Sequence, residues 1–77
     1  MATRVLISLL AGSDPRPVLT GLTELGAETV QPPQPELPDV CIATVDESTV
    51  EPDEWALRAA RLPGVQGAEV DRMRFSF

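Results

Sequence analysis

The chain has 77 residues, and its 12 acidic residues against 6 basic ones give a formal charge of −6. One small domain of this length buries only about 60% of the surface that its unfolded chain exposes, so a thin core is expected. Nucleic acid and anionic membranes are excluded as expected partners, because both carry the same sign of charge as the chain. With one cysteine and no histidine, no disulfide, metal site or cofactor is expected.

The apolar run 5–11 predicts a first β-strand. A membrane span needs roughly 20 apolar residues, so this run is too short to cross a bilayer. The sequence Gly-Ser-Asp-Pro at 12–15 follows at once and is typical of a turn and a helix start, which argues against a signal peptide. Without such a signal a cytoplasmic location is expected. Apolar residues occur on both faces of the run, as in a central strand.

A first helix is predicted over about 15–25. Asp14 is a suitable N-cap, Pro15 suits the first helical position, and Gly26 is a natural stop. The apolar residues at helical spacing are Val18, Leu22 and Leu25.

Two further strands are predicted at 27–31 and 40–45. Between them, four of the seven residues of 32–38 are proline. Proline donates no hydrogen bond to a sheet ladder, so this segment is interpreted as a stiff exposed connection or a very irregular edge. Cys41 lies within the third strand and is interpreted as an inert buried residue.

A second helix is predicted to begin at Pro52 and to end before Pro63. Acidic residues in its first turn and arginines near its other end agree with the helix dipole. The expected buried stripe is Trp55, Ala59 and Leu62. The acidic residues between 46 and 54 lack the spacing of a calcium loop and are interpreted as a solvated turn and helix cap.

The last strand places two carboxylates, Glu69 and Asp71, on one face, since side chains alternate along a strand. The complete order predicts an α+β, ferredoxin-like βαββαβ sandwich, in which a four-stranded antiparallel sheet has two helices on one face. If Ala68 and Val70 point to the helices, the two carboxylates lie on the open face of the sheet. In a domain this small, such a face is either solvated or used for a partner.

The end of the chain resembles the subtilisin propeptide family and its stand-alone relatives, which inhibit subtilisin-type serine proteases. The resemblance rests on Leu-Pro-Gly-Val at 62–65, Ala-Glu-Val-Asp at 68–71 and six residues thereafter. Chain length and the order of elements are also similar over nearly all of 1–77. The resemblance implies one domain that inhibits a subtilisin-like serine protease, or acts as its intramolecular chaperone, and that is not an enzyme.

Specific roles follow from the resemblance. Glu69 and Asp71 would cap helix N-termini of the protease, whose unpaired N–H groups favour carboxylates. The tail formed by Arg74, Phe75, Ser76 and Phe77 would lie in the substrate cleft, with Phe77 in the primary specificity pocket. Arg74 departs from the small or apolar residue usual in the family, which indicates a protease with an acidic or more open subsite, or a different role for Arg74.

Other interpretations remain open at this point. The carboxylates can be solubilising residues on an exposed strand, and Phe75 and Phe77 can fold back over a helix. The main alternative function is a small ferredoxin-like regulatory or oligomerisation module that binds another protein, or forms a homodimer through the same face. An amino-acid-sensing module is a third.

Overall fold

A computed structural model describes residues 2–71, which form a four-stranded antiparallel sheet and two helices. The elements are β1 (Ala2–Leu9), α1 (Pro15–Glu24), β2 (Thr29–Gln31), β3 (Val40–Asp46), α2 (Pro52–Ala59) and β4 (Val65–Asp71). The strand order across the sheet is β2-β3-β1-β4, with β2 and β4 at the edges. This topology confirms the predicted ferredoxin-like α+β fold and the interior position of the first strand.

The core lies on one side of the sheet. Val5 and Ile7 of β1 are fully buried and stand opposite Ala43 and Cys41 of β3, which are also fully buried. Both helices contribute to this side. The buried residues of the core are Val5, Ile7, Leu9, Val18, Leu22, Cys41, Ala43, Val45, Trp55, Ala56, Ala59 and Val65. The alternation of β1 therefore sends one set of side chains to the helices and the other set to the opposite face.

Helix α1 begins and ends close to its predicted bounds. The Asp14 carboxylate accepts a hydrogen bond of 3.0 Å from the backbone N–H of Arg16, which confirms the N-cap. Leu25 is the C-cap residue, and Gly26 follows with a φ of +105°, where glycine is favoured.

Helix α2 is shorter than the sequence predicts. Its last helical residue is Ala59, and the backbone N–H groups of Arg61 and Leu62 donate to carbonyls three residues back. The tighter turn has a physical reason, because Pro63 disfavours the helical conformation at Leu62. Leu62 still packs against the core, although it lies beyond the helix.

The proline-rich connection consists of two successive turns. The N–H of Leu37 donates to the carbonyl of Gln34 at 2.9 Å, and the N–H of Val40 donates to the carbonyl of Leu37 at 3.3 Å. Leu37 is 55% exposed. The prediction of an exposed connection is confirmed, and β2 is reduced to three residues ahead of it.

A side-chain hydrogen bond joins α2 to the end of α1. The Trp55 indole N–H donates to the carbonyl of Leu25 at 2.9 Å, and the ring itself is only 2% exposed. Trp55 is thus the central core residue of α2, as the sequence predicts. Its N–H satisfies a carbonyl at the end of α1 that the helix leaves without an internal partner.

We predict that Trp55→Phe lowers the free energy of unfolding by about 1 to 3 kcal/mol, since it leaves the Leu25 carbonyl unpaired and removes buried ring volume. Leu57→Ala on the exposed side of the same helix is the control and should change stability by no more than about 0.5 kcal/mol. Urea unfolding followed by far-UV circular dichroism measures both. Equal losses in the two variants would contradict the central role of Trp55.

Candidate functional site

The face of the sheet opposite the helices is the candidate site, and we call it the open face. Its side chains come from alternate positions of all four strands and stand opposite one another across the ladder. They are Ala2, Arg4, Leu6, Ser8, Thr29, Gln31, Val40, Ile42, Thr44, Asp46, Glu69 and Asp71. The face therefore has an uncharged middle around Leu6 and Ile42, with charged residues on β1 and β4 and at the end of β3.

The middle of the open face is apolar. Leu6 of β1 stands opposite Ile42 of β3. Both are partly buried, although no helix covers them. On the other side of Leu6 lies Glu69 of the edge strand. An apolar centre with a polar surround is the usual composition of a surface that contacts another protein.

Both predicted carboxylates lie on this face. Ala68 and Val70 pack against the core, so the alternation of β4 turns Glu69 and Asp71 away from the helices. Glu69 is exposed, whereas Asp71 is partly buried. The structure thus brings the two residues together in the arrangement that the sequence predicts.

An ion pair that the sequence analysis missed engages one of these carboxylates. Arg4 and Asp71 are cross-strand neighbours, and a guanidinium nitrogen of Arg4 lies 3.0 Å from Oδ2 of Asp71. Within residues 2–71, Glu69 has no corresponding partner. The two carboxylates are therefore unequal. An antiparallel pairing of the first and last strands would have predicted the contact, because it places residue 4 opposite residue 71.

The tail residues predicted to occupy a protease cleft lie outside the described residues. These are Arg74, Phe75, Ser76 and Phe77. In the described part of the chain, β4 ends at Asp71, the residue that precedes this segment.

A cleft between α2 and the edge strand β4 was not indicated by the sequence. It has a volume of about 370 Å³. Its lining residues are Asp53, Ala56, Leu57, Ala68, Glu69 and Val70. Leu57 is 67% exposed beside it, the most exposed of the large apolar residues in the described part of the chain. Helical periodicity alone does not reveal the cleft, because it requires β4 to lie beside α2.

The titrating groups with altered pKa have structural explanations. A side-chain hydrogen bond from Arg16 lowers the pKa of Asp14 at the start of α1, and the backbone N–H of Ser48 lowers that of Asp46 in the turn after β3. Burial raises the pKa of the Cys41 thiol, which agrees with an unreactive core residue. Between residues 2 and 71 there is no cluster of three groups able to hold a metal ion, and no helix long and apolar enough to cross a membrane.

Comparison of the chain with protein-family models, with curated proteins and with solved structures found no match. The fold assignment therefore rests on the strand order and the one-sided core.

We predict that Arg4→Met lowers the free energy of unfolding by at most about 1 kcal/mol, because a partly exposed ion pair gains little in water. The loss should shrink at high salt, which screens exposed charges. Arg61→Met, which removes an exposed arginine with no ion pair in the described part of the chain, is the control. Urea unfolding at low and high salt measures the effect, and a larger loss that salt does not change would contradict it.

Proposed function

We propose that the chain inhibits a subtilisin-type serine protease and has no catalytic activity of its own. The observation that carries the proposal is the position of Glu69 and Asp71. They share the open face with an apolar centre, and they belong to the strand that leads directly into 72–77. A chaperone-like role in the folding of such a protease would use the same surface.

The chemistry of the two carboxylates supports docking on helices. A helix N-terminus presents unpaired N–H groups and partial positive charge, so it favours a carboxylate as acceptor. Glu69 is exposed and has no ion pair within 2–71, which suits it to this role. The Arg4 contact engages Oδ2 of Asp71 and holds this carboxylate in one orientation. We therefore expect Glu69 to contribute more to binding than Asp71.

The apolar centre of the open face would supply contact area with the protease, next to the charged groups. Leu6 and Ile42 are already held in place by the ladder, so their burial against a partner costs little conformational entropy. Each Å² of apolar surface removed from water contributes roughly 25 cal/mol. A pair of surface helices of the protease is the occupant that the proposal requires.

The tail completes the proposed mechanism. From the edge of the open face, Arg74, Phe75, Ser76 and Phe77 would extend into the substrate cleft as an added strand, with Phe77 as a buried aromatic anchor. Arg74 would face an acidic or open subsite. The cytoplasmic location expected from the sequence stays a prediction.

A second candidate function is self-association through the same face. It is favoured by the opposite charges of Arg4 and Asp71, since a two-fold arrangement would let each arginine pair with the aspartate of a second copy. The apolar centre would then be buried between the copies. A stable homodimer of this kind would leave no open face for a protease, so sedimentation equilibrium distinguishes the two functions.

We predict that the full chain inhibits at least one subtilisin-like protease and that deletion of Ser76 and Phe77 abolishes or strongly weakens inhibition. The deletion removes the proposed anchor and changes none of residues 2–71. Inhibition constants measured against a panel of such proteases, with circular dichroism of both forms, test this. Unchanged inhibition after the deletion would contradict the tail mechanism, and no inhibition of any protease in the panel would contradict the proposed function.

We predict that the double variant Glu69→Ala, Asp71→Ala weakens protease binding by about 1 to 3 kcal/mol through lost charge-assisted hydrogen bonds. The double variant Glu24→Ala, Glu28→Ala removes the same charge away from the open face and is the matched control. Binding and urea unfolding are measured for both pairs. A loss of fold stability as large as the loss of binding would identify Glu69 and Asp71 as structural instead.

A further inference from the structure

We propose that the free edge of β4 and the adjoining cleft form a second binding surface, which accepts an extended segment of another protein in which basic and apolar residues alternate. This surface is separate from the interior of the open face. It consists of the seven-residue edge strand and of the side of α2 that overhangs it. An added strand is a common way for a sheet to bind a peptide.

The two edges of the sheet differ in their capacity to accept a strand. The β2 edge is three residues long and runs into the proline-rich turns, which prevents continued pairing. The β4 edge is seven residues long and contains no proline or lysine. Within residues 2–71 no strand pairs with its outer side. The register shift opposite Ser8 and Leu9 interrupts the ladder near the start of β4, and from Gly67 to Asp71 the pairing is regular. A regular edge of this length can accept an added strand.

The side chains along β4 define the chemistry of the added strand. Residues opposite each other in a ladder share a face, so positions of the added strand on the open-face side meet Glu69 and Asp71. Positions on the helix side meet the apolar floor of Ala68 and Val70, beneath the exposed Leu57. Charge complementarity therefore selects basic residues on one side of the added strand and apolar residues on the other.

A second copy of the chain fits this edge less well. Antiparallel pairing of two β4 strands would bring Glu69 of each copy into the same small region of the open-face side. Like charges so close in a ladder are destabilising. The formal charge of −6 on each chain adds to this repulsion. A basic segment of a different protein would be attracted to Glu69 and would not meet this repulsion.

The test uses three peptides and backbone-amide NMR of the full chain. The probe peptide is acetyl-Val-Lys-Val-Lys-Val-Lys-amide, the second carries Glu in place of Lys, and the third carries Pro in place of its second and third valines, which leaves the charge unchanged. We expect saturable shifts confined to β4 and α2 with the first peptide alone. Leu57→Lys should weaken its binding by about tenfold or more, whereas Leu37→Lys, at an exposed leucine far from β4 in the sequence, should not.

Several results would overturn the proposal. These are no shifts with the Lys peptide, equal binding of the Pro peptide, shifts along β2, or a doubled mass in sedimentation that shows a second copy at this edge. The protease proposal is tested separately with the same two variants. Since Leu57 lies on α2 and outside the open face, Leu57→Lys should weaken peptide binding while protease inhibition stays at the level of Leu37→Lys.

Discussion

Both helices pack on the same face of the sheet, the one that carries Val5 and Ile7. Within residues 2–71 no element covers the other face. The side chains of that face therefore stay at the surface, with Leu6 and Ile42 in the middle and charged residues around them. This one-sided cover leaves the open face accessible to the partner that we propose.

The thin core also explains why single contacts matter. Trp55 fills the space between the helices and the sheet, and its indole N–H bonds to the end of α1. No comparable aromatic residue lies elsewhere in the described core. The helices and the core residues all lie on one side of the sheet, so the other face is accessible without rearrangement. A preformed surface of this kind favours tight binding, since little order must be gained when a partner docks.

Most of the fold could be predicted from local patterns, but the site could be predicted only in part. Apolar alternation, the cap at Asp14 and the prolines and glycines between elements determine the order of strands and helices. The predicted end of α2 was wrong. The apolar stripe runs on to Leu62, but Pro63 disfavours the helical conformation there, so the chain leaves the helix in a tighter turn. The Arg4–Asp71 pair and the cleft beside Leu57 depend on contacts between distant parts of the chain. The periodicity of the sequence gives no information about such contacts.

The proposed inhibition requires the open face, and not the helical side, to contact a subtilisin-type protease. Methyl NMR of the full chain, titrated with catalytically inactivated subtilisin, distinguishes the two sides. We expect the methyl signals of Leu6 and Ile42 to shift or broaden on binding, while those of Val18 and Leu22 in the core and Leu57 on α2 keep their positions. Binding that perturbs Leu57 and leaves Leu6 and Ile42 unchanged would contradict it.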